Sequence, residues 1–227
     1  MLEVTGLCKS YGKQKILDAV SFTAAPGTCV GIVGSNGCGK TTLLSILAGA
    51  VKADQGSIRY RNQEATGSPG VFAREAAYVP QENPLIEELT VRDNLSLWYR
   101  GSRREMEQDL AQGPAAMLGI PAMLKKPVAR LSGGMKKRLS IACALSNHAG
   151  TLILDEPGAA LDMECKADIR AYLEQYRKEG GTVILTSHEQ SELALCTRMY
   201  VLRGGRLEEV KTGMTEEEMI AAFRNND

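Results

Sequence analysis

Histidine is scarce in this chain of 227 residues: only two occur, against six cysteines at positions 8, 29, 38, 143, 165 and 196, none of them in a C-x-x-C pair. So few imidazoles and no paired thiols exclude an ordinary zinc site, and a disulfide framework is not expected in a chain this long. Free thiols fit a reducing cytosol. Net charge is also missing. Lys and Arg total 27, as do Asp and Glu, which leaves no global field to draw in nucleic acid or an anionic membrane surface. No apolar run approaches the roughly 18 residues that a membrane span needs. The opening Met1-Leu2-Glu3-Val4-Thr5 has no basic stretch followed by an apolar one, so no signal peptide is expected. Internal repeats and low-complexity stretches are absent, and aromatic content is slightly low at 5%.

What is present is an alternation of two patterns. Short runs rich in β-branched residues predict strands near the start, where Leu2, Val4 and Leu7 alternate, and over 28–33, 56–61, 76–80, 151–155, 182–186 and 199–203. Helical spacing predicts helices over 40–48, 91–99, 134–145 and 163–178. The runs at 151–155 and 182–186 are apolar throughout rather than alternating, as strands covered on both faces are. These patterns predict an α/β fold with a mainly parallel sheet, an antiparallel β subdomain reaching to about residue 61 and an inserted helical subdomain, and the G-x-x-x-x-G-K-T loop over 34–41 makes its core that of a P-loop NTPase. The expected organisation is one domain over 1–227, with the α/β core at about 1–83 and 150–227 and the helical subdomain at about 84–149. Thr215 and Glu218 form a capping box that opens a short helix, with Met219, Ile220 and Phe223 on one face.

Chemistry enters at Gly34-Ser35-Asn36-Gly37-Cys38-Gly39-Lys40-Thr41-Thr42, a G-x-x-x-x-G-K-T loop between an apolar strand and a helix. In that context glycines let successive N–H groups turn inward around an anion, and the helix N-terminus adds positive potential. Lys40 supplies a point charge for β- and γ-phosphates, and the Thr41 hydroxyl is placed to ligate Mg²⁺. Cys38 offers mainly its backbone, and a helix N-terminus is expected to lower its thiol pKa and make it reactive. The strand at 151–155 ends in Asp155 and Glu156, where ligands bind in α/β sheets. Asp155 suits Mg²⁺, and Glu156 suits orienting or deprotonating a water.

A third segment, Leu131-Ser132-Gly133-Gly134-Met135 before a helical run, resembles the signature of ATP-binding cassette (ABC) ATPases. The rest of that pattern follows in order across nearly the whole chain. Tyr11 matches the aromatic that stacks on adenine. Gln81 matches the Q-loop glutamine, which contacts Mg²⁺ and water. Asp162 matches the D-loop aspartate, and His188 matches the switch histidine on the γ-phosphate. Met135 stands where glutamine is most usual, and residues 158–160 (Gly-Ala-Ala) depart from the common pattern. Outside the pattern, His148 reads as a surface residue, Trp98 as packing, and Lys136-Lys137-Arg138 as a solvated helix face.

The resemblance implies ATP and Mg²⁺ as ligands and a head-to-tail homodimer with two ATP molecules between the subunits. Ser132, Gly133 and Gly134 of one subunit would then cover the ATP held by Lys40 of the other. It also implies separate transmembrane permease subunits, received near residues 81–89, and a cytoplasmic position on the inner face of the membrane. The signature stretch is similar to export-type ATPases. A soluble ABC machine, such as one of iron–sulfur assembly, and a non-hydrolysing regulatory module are the alternatives. A GTPase is excluded by the lack of an Asn-Lys-x-Asp motif.

Overall fold

The computed structural model describes residues 1–99 and 103–224. An antiparallel sheet comes first. β1 (Leu2–Tyr11) pairs on one side with β2 (Gln14–Ala24), with bulges on the way, and on the other side with β4 (Gln55–Tyr60), which carries the short β5 (Gln63–Glu64). A second sheet has the order β10-β9-β3-β8-β7-β6, built from β3 (Cys29–Val33), β6 (Ala76–Val79), β7 (Thr151–Asp155), β8 (Thr182–Thr186), β9 (Arg198–Arg203) and β10 (Arg206–Val210). Its five strands from β9 to β6 run parallel, and β10 closes a hairpin.

Every residue of β3, β7 and β8 is buried. The side-chain alternation of a strand divides them between two cores. Leu152 and Leu154 face one, with Val183 and Leu185, and Ile153 and Ile184 face the other. The first core lies under the helices α3 (Val91–Trp98), α4 (Arg103–Gln112), α6 (Gly133–Ala144) and α7 (Met163–Lys178). The second lies under the antiparallel sheet and α1 (Lys40–Leu47). Each Leu or Ile buried this way contributes about 1.5–3 kcal/mol. The remaining helices are short: α2 (Pro69–Glu75), α5 (Pro114–Met117), α8 (Gln190–Leu193) and α9 (Glu216–Arg224).

The described residues between β6 and β7 hold helices and 3-10 turns and no strand. Residues from the expected helix at 91–99 begin with a capping box: Asp93 N–H donates to Thr90 Oγ1 and Thr90 N–H to Asp93 Oδ2. The expected box at the last helix is present as well, since Thr215 N–H donates to Glu218 Oε2 at 2.8 Å and Glu218 N–H to Thr215 Oγ1 at 3.2 Å. Three expectations need correcting. Ile220 is exposed while Met219, Ala222 and Phe223 turn inward, because these three, three and four residues apart, form the docked stripe and Ile220 lies beside it. Trp98 ends α3 with its side chain 37% exposed rather than packed inside. The run at 136–138 is not a solvated face: Lys136 pairs with Glu87, Arg138 pairs with Asp168, and Lys137 is buried.

Candidate active site

Four neighbouring parallel strands, in the order β3-β8-β7-β6, each end in one predicted motif. β3 feeds the 34–39 loop, β8 leads to His188, β7 ends at Asp155 and Glu156, and β6 leads to Gln81. Chain order and spatial order differ, yet all four converge at the carboxyl edge of the sheet, where an open α/β sheet binds ligands. Tyr11, Ile16, Asn36, Gly37, Gly39, Lys40, Thr41, Thr42, Gln81, Glu156 and His188 line one open groove of ≈ 500 Å³ there.

The loop starts at Gly34, whose φ is 155°; a Cβ there would stand 2.6 Å from Leu202 O. Only glycine fits that approach, so the turn is set by the chain beside it. Lys40 opens α1 and is 6% exposed. Its ammonium donates to Gly34 O at 2.8 Å and Ser35 O at 3.1 Å. The loop's own carbonyls thus hold the cation at the mouth of the groove. The Cys38 thiol lies half-buried beneath, and burial pushes its pKa up, with Lys40 opposing. The reactive thiol expected at this helix N-terminus is therefore not supported, because desolvation outweighs the nearby positive charge.

Asp155 is 2% exposed. Thr186 Oγ1 donates to its Oδ1 at 2.6 Å, and its Oδ2 is buried without a hydrogen-bond partner. Glu156 follows with φ 48°, a left-handed conformation rare for a side-chain-bearing residue. Its N–H is held by Thr186 O and Oγ1, both at 3.1 Å. That turn swings the Glu156 carboxylate away from Asp155 and into the groove. Gln81 Nε2 donates to its Oε2 at 3.2 Å, and His188 Nε2 stands 3.6 Å from its Oε1. A carboxylate placed between an amide and an imidazole can accept a proton from a water while its neighbours orient both partners.

The segment bearing His188 is braced by residues that carried no signal in the sequence. Ser187 Oγ donates to Glu192 Oε2 at 2.5 Å and accepts from Glu189 N–H at 2.9 Å, while Lys166 of α7 pairs with Glu189 at 2.7 Å. Glu192 is buried, and burial pushes its pKa up, opposed by the Ser187 hydrogen bond. Thr186 was missed in the same way.

Ser132, Gly133, Gly134 and Asp162 do not line the groove. They come together elsewhere. Ser132 caps α6, its Oγ accepting from Met135 N–H at 3.3 Å. Asp162 caps α7, accepting from Cys165 N–H at 2.8 Å, and that bond holds its carboxyl below the usual range. The two helix starts touch: a Cβ on Gly134 would lie 2.1 Å from Cys165 Sγ. Tyr11, at the end of β1, is exposed on the groove wall, with Lys9 Nζ 5.4 Å from its ring centre.

A family model described as ABC transporter matches residues 17–159, well over half of the chain. The chain is 36% identical over 212 residues to the Nod factor export ATP-binding protein I of Sinorhizobium fredii, an alignment covering 90% of this chain and 61% of that protein. It is 33% identical over 217 residues to the sulfate/thiosulfate import ATP-binding protein CysA of Bordetella parapertussis, covering 92% and 61%. The chain therefore spans about three fifths of the length of these relatives. Among solved structures it is similar to the dimeric post-hydrolysis state of an ATP-binding cassette bound to ADP and Pi, with a TM-score of 0.82, 25% identity, and coverage of 95% of this chain and 100% of that one. Family match, relatives and fold agree, and the chain belongs to the ABC transporter family as an ATP-binding cassette.

Proposed function

We propose that this cassette binds ATP with Mg²⁺, hydrolyses it between two copies of the chain, and drives substrate movement through separate transmembrane subunits. The observation that carries the reading is the position of Glu156, flanked by Gln81 and His188 in the groove that the phosphate loop opens onto. Lys40 holds the phosphates, Tyr11 offers a face for the base, and Glu156 takes the proton of the attacking water while His188 and Gln81 orient its carboxylate. Thr41, Gln81 and Asp155 would hold Mg²⁺. The fit is favourable, since the orphaned Oδ2 of buried Asp155 lacks a donor, and a cation or its water would supply the missing partner. Among the described residues no three His, Cys, Asp or Glu side chains group as a metal cage, as suits an ion held largely by phosphates and water. When bound, Mg²⁺ supplies positive charge to the phosphate oxygens.

Ser132 to Gly134 lie outside the groove of their own chain, which supports a head-to-tail homodimer in which they close the partner's site. The N-terminus of α6 is suited to an anion, and Asp162, beside it, would lie at the interface. Permease subunits would dock on the helical segment at about 84–149, acting as a subdomain on the core of 1–83 and 150–227. A hollow lined by Pro80, Pro84, Leu97 and Trp98 lies one residue from Gln81, and Leu97 is 61% exposed. No helix among the described residues is long and apolar enough to cross a membrane, so the cassette would sit peripherally on the cytoplasmic face. Export is the direction we favour, on Met135 in the signature and the exporting relative. Phosphate release by the purified chain tests the core of this reading: ATP bound without turnover would instead mark a regulatory module. Capture of soluble scaffold proteins rather than permeases from detergent extract would point to an assembly machine.

A further inference from the structure

Lys137 is 3% exposed on α6, one turn beyond its start. Its ammonium donates to Pro80 O at 3.1 Å and to Gln81 O at 3.0 Å. Its neighbours Lys136 and Arg138 spend their charges on the surface acids Glu87 and Asp168, but Lys137 forms no ion pair among the described residues. Burying an ammonium without a contacting carboxylate is costly. A methionine would fill the same space without that penalty. Burial does pull the Lys137 pKa down, with Asp155 and Glu192 opposing at longer range. What the charge gains is a grip on two consecutive carbonyls, at the point where the chain leaves β6 and Gln81 turns its amide toward Glu156. One turn further along the same helix, Ser140 Oγ donates to Asn83 Oδ1 at 3.1 Å. The face of α6 that follows Ser132 therefore fastens the 80–83 loop at two levels.

We propose that Lys137 is a positioning residue for hydrolysis: by fixing the 80–81 carbonyls it sets the reach of the Gln81 amide to Glu156. It thereby ties the groove of one chain to the helix whose N-terminus faces the second copy. The inference rests on the hydrolytic reading above. A displacement of α6 as the two copies close is passed to Gln81 through this ammonium, so each site senses whether its own chain's signature is engaged on the other nucleotide.

The test uses the full chain with Lys137→Met, Lys137→Arg, Gln81→Ala and the Lys137→Met/Gln81→Ala double variant. Steady-state phosphate release is read beside fluorescent-nucleotide affinity and the denaturant midpoint. Lys137→Met is expected to lower kcat on the order of 10- to 100-fold, as misplacement of a reacting group does, with nucleotide affinity nearly unchanged. Lys137→Arg, which keeps the donors, recovers most of the rate. In the Gln81→Ala background Lys137→Met has little further effect, since the two act through one contact. Wild-type kcat in Lys137→Met, or losses that multiply in the double variant, overturn the proposal. If Lys137→Met does not fold, the same comparison is made with Lys137→Gln, a neutral donor expected to fall between wild type and loss. A wild-type chain that binds ATP without turnover sinks the hydrolytic reading instead. Amide exchange of residues 81–83 then judges the grip alone: faster exchange in Lys137→Met upholds it, and unchanged exchange refutes it.

Discussion

Thr186 donates its hydroxyl to one oxygen of Asp155 at 2.6 Å and leaves the other oxygen buried and unpartnered. One strand thus orients the acid that its neighbour delivers, since Asp155 and Thr186 are register partners in β7 and β8. Replacing Thr186 with valine keeps the shape and removes the donor. Outer-shell losses of this kind weaken metal affinity by about 10–100-fold. Mg²⁺ titration of ATP hydrolysis is expected to shift to higher concentration by that factor; an unmoved titration curve would show that Asp155 needs no such orientation.

Glu156→Gln keeps the geometry with Gln81 and His188 but cannot take a proton. Turnover is expected to fall by about 10²–10⁴-fold, the usual worth of a general base, while ATP binding persists. Dimers should then accumulate with ATP, as seen by size-exclusion chromatography. Brisk hydrolysis by this variant would remove Glu156 from the role.

Gly134→Ala places a methyl 2.1 Å from Cys165 Sγ and 2.7 Å from Cys165 Cβ. The sulfur can rotate away, but the Cβ cannot, so α6 and α7 must part. Overpacking of this order costs about 1–3 kcal/mol. Denaturant unfolding should show that loss, restored in good part when Cys165→Gly is added and only weakly by Cys165→Ala. A Gly134→Ala chain of unchanged stability would mean that the helix starts yield freely.

Glu192 offers a pH test. Its native pKa is raised, by burial first, so the folded chain holds that proton more tightly than the unfolded one. This contribution to stability is fully present below the ordinary value of 4.5 and fades as pH rises through the raised native value. Glu192→Gln removes the titration. The stability of the variant relative to wild type should therefore become more favourable as pH rises from 4.5 through the raised native value. A difference independent of pH, measured by urea unfolding, would refute the raised value.

Much of the site could be read before the fold because its parts terminate continuous apolar strands. The expected bounds at 151–155, 182–186 and 163–178 agree with β7, β8 and α7. Two-sided burial leaves an unbroken hydrophobic record, and the acids after it stand out. β2 left no such record: its register shifts against β1, and Ala19 takes φ 54°, which breaks the alternation a strand is recognised by. Lys137 was illegible for another reason. Its acceptors lie 57 and 56 residues away in the chain, and nothing local distinguishes it from the ion-paired lysine beside it. The Cys38 thiol shows the same limit, since position at a helix start is visible in sequence and depth is not. Ser132 and Asp162 stood out in the sequence only through the family pattern, and that each caps its helix is seen in the structure alone.

The strand order β3-β8-β7-β6 makes the sheet edge a ruler. Neighbouring strands lie about 4.8 Å apart, so the loop after β3 and the Gln81 segment after β6 are separated by roughly 14 Å at their roots. Side chains bridge that span: the Gln81 amide reaches back to Glu156 on the next strand, and one groove joins it to Lys40 and Thr41. A chain that lost one strand from the middle would keep every motif and lose the measure between them.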